Sequence, residues 1–141
     1  MSSDWSETPE YLIPQVTPEA AEFFAGARRG ELRLQRCRSC GLHQHYPRLL
    51  CSHCGAEDLE WVTGSGRGTI HSYTVIRQNG IPPFRDRVPF VVALVDLDEA
   101  GARMLAAMPS ADPEEVDVGR PVVAEFRAVS DEVGLVDFRL V

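Results

Sequence analysis

Cys37-Arg-Ser-Cys40-Gly41 and Cys51-Ser-His-Cys54-Gly55 are two Cys-x-x-Cys-Gly units, and together they contain every cysteine of this 141-residue chain. Four thiolates at this spacing form the full tetrahedral ligand set of a structural zinc site, which leaves no open position for water or substrate. The glycine after each pair permits a positive φ, which turns backbone N–H groups back towards the sulfurs. The stretch therefore predicts a closed, structural metal site whose ligands are Cys37, Cys40, Cys51 and Cys54.

Other interpretations of these cysteines remain open. Disulfides are possible, but paired Cys-x-x-Cys units in an intracellular chain favour a metal. Redox catalysis by one pair would leave the other pair without a role. Iron could occupy the same thiolates, although zinc is the commoner occupant of a closed site of this kind. His43, His45 and His53 could serve as ligands, but beside four thiolates we expect them to have surface or packing roles.

Length and composition predict one domain of ordinary size, or a small module attached to another protein. No stretch has the length and apolarity of a transmembrane helix, and the polar start Met1-Ser-Ser-Asp-Trp5 does not resemble a signal peptide. We therefore expect a cytoplasmic protein without a membrane partner.

The charge balance is acidic, with 21 acidic against 14 basic residues and a formal net charge of −7. Proteins that bind nucleic acid usually show a basic excess, because neutralising phosphates supplies most of the non-specific affinity. All the basic residues are arginines, a bias that codon usage can explain. The lack of lysine excludes a lysine Schiff base, a lysine general base and a P-loop lysine.

Three segments follow from the local patterns. Residues 1–30 are predicted to form a polar arm and then a helix, which starts at Thr17-Pro18-Glu19 and ends near Gly30, with Phe23-Phe24 in the core. Residues 31–63 are predicted to form the zinc ribbon, with short strands before and after the cysteines. Residues 64–141 contain five strand-like segments separated by turns, which predicts a small barrel. Within it, Pro89 to Leu97 is predicted to be a strand buried on both faces.

The order of these parts resembles a known family. The motifs are Gly-Glu-Leu-Arg-Leu-Gln-Arg-Cys (30–37), Tyr-Pro-Arg (46–48), Leu-Glu-Trp (59–61), Gly-x-Gly-Thr-Ile-x-Ser-Tyr-Thr (66–74) and Pro-Phe-Val-Val-Ala-Leu-Val-Asp-Leu (89–97). Together with the cysteine pairs, they resemble the acyl-CoA-associated family that joins a rubredoxin-like zinc ribbon to an OB-fold. The resemblance covers roughly residues 17–141, and many relatives carry Phe-Trp where this chain has Phe23-Phe24.

The resemblance implies a mainly β fold with an N-terminal helix, a zinc ribbon and a five-stranded OB-fold barrel. It also implies a hetero-oligomer, because family members act beside thiolase-fold enzymes, lipid-transfer-protein-type aldolases of steroid degradation or MaoC-type hydratases. The chain would then be a non-catalytic subunit that stabilises the enzyme and guides the acyl-CoA. In that role, the end of the first barrel strand and the long loop after it, residues 78–88, could contact the CoA ester or the partner through Arg77, Phe84, Arg85 and Arg87.

Two alternatives to the accessory role are weaker. Zinc ribbons and OB-folds also bind single-stranded nucleic acid, but this chain is acidic and its aromatic residues are scattered. An independent enzyme would need an acid–base pair. His71 is interpreted as a hydrogen-bonded barrel residue rather than a catalytic base, and the acidic group Asp96, Asp98 and Glu99 as a solvated turn.

Overall fold

The computed structural model describes Trp5 and residues 7–141, and these contain one short α-helix and two antiparallel sheets. Helix α1 spans Ala21–Arg28. The ribbon sheet has the strand order β2-β1-β3 and consists of β1 (Arg33–Cys37), β2 (His43–Gln44) and β3 (Leu59–Thr63). The barrel sheet has the order β6-β5-β4-β7-β8 and consists of β4 (Arg67–Ile76), β5 (Phe90–Leu97), β6 (Arg103–Met108), β7 (Pro121–Ala128) and β8 (Gly134–Leu140).

The helix begins one turn later than the sequence predicts. Thr17 has an extended backbone, but its side chain makes no capping hydrogen bond, and Pro18–Ala20 forms a 3-10 turn before the α-helix. Gly30, at φ +85°, follows the helix end, where a glycine tolerates a conformation that side chains disfavour. Phe23 is buried and its ring meets that of Phe24 edge-to-face at 5.3 Å. The predicted core role of this aromatic pair is therefore confirmed.

The hydrophobic core lies inside the barrel sheet and beneath the helix. Its fully buried side chains include Phe138, Ile70, Val91, Val95 and Met108, each at most 1% exposed. Two leucines from the start of the ribbon sheet, Leu32 and Leu34, belong to the same core cluster. The ribbon sheet is thus anchored at one end in the barrel core, while its other end carries the cysteines.

Strand β5 differs from its prediction. From Val91 onward its side chains alternate between buried and partly exposed positions. One face of the strand therefore points into the core, and the other face is partly exposed. The apolar run of the sequence does not distinguish this arrangement from burial on both faces, because Val92 and Leu94 stay apolar on the outer face. The prediction of two buried faces is therefore wrong for this strand.

The turn between β5 and β6 joins the barrel to the ribbon. The backbone N–H of His43 donates to the carbonyl of Ala100 at 2.9 Å. The carboxylate of Glu99 accepts from the N–H of Ser65 at 2.9 Å, and Asp98 N–H donates to the carbonyl of Arg67. The acidic turn is therefore part of the junction between the two sheets. Among the described residues, no helix has the length and apolarity that crossing a membrane requires.

Candidate functional site

The two cysteine units adopt the same local geometry. Cys37 N–H donates to the carbonyl of Leu42, and Cys51 N–H donates to that of Ala56, each at 2.9 Å. The glycines Gly41 and Gly55 have φ values of +80° and +81°. At such angles a side chain would be strained, whereas glycine lets the chain turn back over the sulfurs. The two glycine turns predicted from the sequence are therefore present.

The four sulfurs lie close together, all within 4.8 Å of one another. The Sγ atoms of Cys37 and Cys54 are 3.7 Å apart, and those of Cys40 and Cys51 are also 3.7 Å apart. Tetrahedral coordination with zinc–sulfur bonds of about 2.3 Å would place the sulfurs roughly 3.8 Å from one another. The cluster therefore has the size that one tetrahedral metal ion requires, and it could bind such an ion.

The electrostatics of the thiols favour a cation at their centre. Burial raises the pKa of the Cys51 thiol, but backbone N–H groups of Cys54 and His53 outweigh it and lower that pKa to about 6. For Cys54, the N–H of Ala56 lowers the pKa, yet burial and the neighbouring sulfurs raise it to about 12. Four thiolates at this separation repel one another, so full ionisation requires a bound positive charge.

The histidines near the cysteines lie outside this sulfur cluster. His53 Nε2 lies 2.9 Å from the carbonyl oxygen of His43. The ring of His45 packs between those of Phe23 and Tyr46, at centroid distances of 4.7 and 4.2 Å. Burial, together with the nearby Arg48 charge, lowers the pKa of His45 to about 4. These contacts are the packing roles that the sequence predicts.

The four candidate contact residues in the loop between β4 and β5 differ in their exposure. Arg87 is only 6% exposed, donates to the carbonyl of Glu7 at 2.8 Å, and stacks 4.5 Å from the ring centroid of Trp5. Phe84 is partly buried against the same aromatic cluster. Arg77 and Arg85 remain exposed. The loop therefore offers two exposed guanidinium groups, while Arg87 binds the N-terminal arm to the barrel.

His71 lies on the outer face of the barrel, at a bulge in β4 between Ile70 and Ser72. Its Nδ1 is 3.0 Å from Asp96, and Arg103 pairs with the same carboxylate at 2.6 Å. Both Arg103 and His71 lower the pKa of Asp96, the arginine hydrogen bond being the largest cause. His71 is hydrogen-bonded as predicted, although its side chain is 44% exposed rather than enclosed.

Sequence reasoning missed two buried glutamines that order the segment between the cysteine pairs. Gln35 and Gln44 are 5% and 3% exposed, and Gln44 Nε2 donates to Gln35 Oε1 at 2.6 Å. Gln35 also accepts from Arg48 N–H and donates to the Arg48 carbonyl, at 2.9 and 2.8 Å. A glutamine within a strand gives no sequence pattern from which such contacts could be predicted. We call each Cys-x-x-Cys-Gly unit a knuckle, and residues 46–50, which lie between the two units, the inter-knuckle loop.

Comparison with known proteins places these features in a family. Two family models match consecutive parts of the chain: the ChsH2 rubredoxin-like zinc ribbon domain at residues 24–60 and the ChsH2 C-terminal OB-fold domain at 61–127. A DUF35 domain-containing scaffold protein of Methanothermobacter thermautotrophicus is 37% identical over 106 residues, which are 74% of this chain and 78% of that protein. The predicted zinc ribbon and OB-fold are thereby confirmed.

Longer relatives match as well. A probable enoyl-CoA hydratase alpha subunit of Thermomonospora curvata is 34% identical over 89% of this chain and 39% of its own length. The 3-oxo-4,17-pregnadiene-20-carboxyl-CoA hydratase alpha subunit of Mycobacterium tuberculosis is 37% identical over 82% of this chain and 36% of its own length. The chain thus spans less than two fifths of each of these two hydratase subunits.

Solved structures agree with the sequence matches. A chain of the Ltp2-ChsH2(DUF35) aldolase superimposes with a TM-score of 0.77 and 33% identity, covering 90% of this chain and 98% of that chain. A DUF35 protein of Sulfolobus solfataricus, at 20% identity and a TM-score of 0.63, shares the fold. By sequence and by structure, the chain belongs to the DUF35 family, with a ChsH2-type zinc ribbon followed by an OB-fold.

Proposed function

We propose that this chain is a non-catalytic accessory subunit of a thiolase-fold enzyme that acts on CoA esters. The observation that carries the proposal is the match to almost the full length of a chain in the Ltp2-ChsH2(DUF35) aldolase. The two hydratase relatives support the same class, since each is named as a subunit of an enzyme for acyl-CoA substrates. In this proposal the partner enzyme carries out the reaction, and the DUF35 chain stabilises it.

The best candidate reaction is a retro-aldol cleavage of a steroid side chain attached to CoA. One relative is named for a pregnadiene carboxyl-CoA substrate and a structural neighbour is named an aldolase, so both names support this choice. A partner of MaoC-type hydratase fold is the second possibility within the same proposal, because two relatives are named hydratase subunits.

The chain's own chemistry supports an accessory role. Lysine is absent from the sequence, and all four cysteines belong to the sulfur cluster, so a bound metal would leave no free thiol nucleophile. We propose zinc as the metal, held by four thiolates as a structural ion. Metal analysis of the purified protein should give about one zinc per chain on the four-ligand argument. Iron in its place would be visible as a red, thiolate-bound species.

Arg77 and Arg85 are the proposed contacts to the acyl-CoA or the partner, since both are exposed on the loop between β4 and β5. Arginine pairs with phosphate through two parallel hydrogen bonds, which suits the phosphates of CoA. Phe84 and Arg87 would act indirectly, because they hold this loop against Trp5. A channelling role for the loop would appear as a higher KM for the acyl-CoA in Arg77→Ala and Arg85→Ala complexes.

Co-expression tests the proposal directly. The chain should form a stable complex with the thiolase-fold protein encoded beside it, and the complex should cleave a steroid acyl-CoA. Arg139→Ala is a matched control for the loop variants, because Arg139 is an exposed arginine on β8. Two separately soluble proteins, with full activity in the thiolase-fold protein alone, would overturn the proposal.

A further inference from the structure

The inter-knuckle loop displays large apolar side chains to solvent. Leu49 is 77% exposed, and Tyr46 and Leu50 are 49% and 47% exposed. Exposed leucines are common one at a time, but three large apolar residues within five positions form a patch. Such a patch, when rimmed by polar groups, marks a surface that another molecule covers.

The backbone beneath this patch is held in place before any partner arrives. The side chain of Gln35 accepts from the N–H of Arg48 with its amide oxygen and donates to the carbonyl of Arg48 with its amide nitrogen. Gln44 Nε2 lies 3.3 Å from the Leu50 carbonyl, and Ser52 N–H donates to Gln44 Oε1 at 2.7 Å. Burying two glutamine side chains is costly unless their hydrogen bonds are made. Here those bonds fix a loop whose apolar side chains point outward, and a fixed loop loses little entropy when it binds.

The patch continues onto the barrel. The hydroxyl of Tyr46 lies 3.4 Å from the N–H of Leu105 on β6, and Leu105 is itself 54% exposed. Strand β6 is an edge of the barrel sheet. Tyr46 thereby links the inter-knuckle loop to β6. The docking patch is our name for the exposed apolar residues on the two sides of this contact, which are Tyr46, Leu49, Leu50 and Leu105.

Charge distinguishes this patch from the rest of the chain. Residues 39–56 contain no aspartate or glutamate, although the whole chain has 21. Arg48 is exposed, donates to the Tyr46 carbonyl at 3.1 Å, and forms no ion pair with the described residues. Beside Leu105, Arg103 and Asp96 carry opposite charges and pair with each other. Arg48 is therefore the charge that the patch offers to a partner. The patch complements an apolar cleft that has a carboxylate at its rim.

The same charge argues against a second copy of this chain as the occupant. A two-fold symmetric contact places the same patch on both sides, so two Arg48 charges would enter it while neither inter-knuckle loop supplies an acid to pair with them. It also argues against a nucleic acid, which requires several phosphate-neutralising cations where the docking patch offers one. A different protein with an acidic rim fits both observations.

We propose that the docking patch is the surface on which the enzyme subunit binds, with Leu49 as the central apolar anchor and Arg48 paired to a carboxylate of that subunit. This inference rests on the proposed function, since the enzyme subunit is the partner named there. It adds which surface makes the contact and what chemistry the partner presents. The inter-knuckle loop is followed directly by Cys51, one of the four clustered sulfurs, so a bound metal would also order that end of the loop.

Two exposed substitutions test the inference: Leu49→Ser and Arg48→Glu. Val118→Ser is the matched control, because Val118 is 61% exposed in the segment before β7 and lies outside the docking patch. Each variant is purified, checked for one equivalent of cobalt and its thiolate absorption, and titrated against the isolated enzyme subunit by calorimetry. We expect Kd to rise about 30-fold for Leu49→Ser, as for the loss of a buried anchor. Arg48→Glu should weaken binding about 10-fold through its effect on association.

The outcomes separate this inference from the proposed function. If wild type and both variants bind the enzyme subunit equally, the docking patch is wrong and the accessory role stands. If wild type binds no enzyme subunit, both proposals are overturned. If the chain alone is a dimer that Leu49→Ser converts to a monomer, the occupant is a second copy and the inference is overturned. An equal loss of affinity in Val118→Ser would likewise contradict the inference, because Val118 lies outside the docking patch.

Discussion

The ribbon sheet and the barrel sheet are ordered by different forces. The barrel encloses fully buried apolar side chains such as Phe138, Val91 and Val95. The cysteine end of the ribbon buries two glutamines and two thiols instead. A small sheet with so little apolar burial gains its order from other sources, here side-chain amides and four metal-binding sulfurs. We therefore expect the barrel to remain folded under conditions in which the ribbon does not.

Removing one metal ligand should produce the largest effect and should separate the two sheets. We expect Cys40→Ser to abolish tight metal binding and to expose the amides of residues 37–54 to hydrogen exchange, while the barrel strands stay protected. Metal binding to small zinc domains contributes about 10 kcal/mol or more of folding free energy, so the ribbon has no alternative source of comparable size. Hydrogen exchange read by mass spectrometry measures both regions in one experiment.

Phe138→Ala is the counterpart to this variant in the barrel. Phe138 is 0% exposed, and truncating a buried phenylalanine costs about 3–5 kcal/mol. Its loss should lower protection throughout the barrel and reduce Tm while metal is still bound. If Cys40→Ser instead reduced protection equally in both sheets, the two sheets would unfold as one cooperative unit.

The sequence predicted the barrel and the clustering of the four cysteines well because both have local patterns. Five strand-like segments separated by turns give the five strands of the barrel sheet, and Cys-x-x-Cys-Gly spacing gives the sulfur cluster. Each of these patterns is contained within a few neighbouring residues. Both predictions depend on residues that are near one another in sequence, so neither requires knowledge of tertiary contacts.

The contacts that the sequence does not predict join residues far apart in the chain. The sequence groups Arg87 with Arg77 and Arg85 as a candidate contact, yet Arg87 is held by Glu7 and Trp5, some 80 positions earlier. Gln35 meets the inter-knuckle loop through hydrogen bonds that depend on strand register rather than on composition. A polar residue in a strand gives no indication of its burial until its partners are known.

Acid should affect the ribbon side of the molecule next most strongly, through His45. Its pKa falls from 6.5 to about 4 on folding, because burial and the Arg48 charge disfavour the imidazolium. The unfolded chain therefore binds a proton between those pH values and the folded chain does not, so stability is complete above pH 6.5 and falls as pH approaches 4. The loss is at most about 3 kcal/mol. Urea denaturation at several pH values measures it.

His45→Phe isolates this contribution, because phenylalanine keeps a ring between Phe23 and Tyr46 but cannot titrate. The variant should lose less stability than wild type between pH 6.5 and 4. Thiol protonation and metal release occur in both proteins and cancel in the difference. Parallel pH profiles for the two proteins would show that the buried imidazole does not link the ribbon to pH.

The smallest expected effect tests the contact between the two sheets. Gly101, at φ +97°, lies in the β5–β6 turn, and a Cβ at that position would stand 2.6 Å from the His43 carbonyl oxygen and 2.9 Å from His53 Nε2. Gly119 shares the positive φ, at +87°, but has no atom within 4 Å of the same position. Gly119→Ala should cost about 1 kcal/mol for backbone strain alone, whereas Gly101→Ala should cost about 2 kcal/mol because it also displaces the ribbon.

The difference between these two variants measures how firmly the ribbon rests on the barrel. If docking is tight, Gly101→Ala lowers Tm more than Gly119→Ala and speeds hydrogen exchange at the His43 amide, which donates to the Ala100 carbonyl. Equal costs, with unchanged exchange at that amide, would mean that the ribbon moves aside without penalty. In that case the metal would order the ribbon by itself, and the barrel would serve only as its anchor through Leu32 and Leu34.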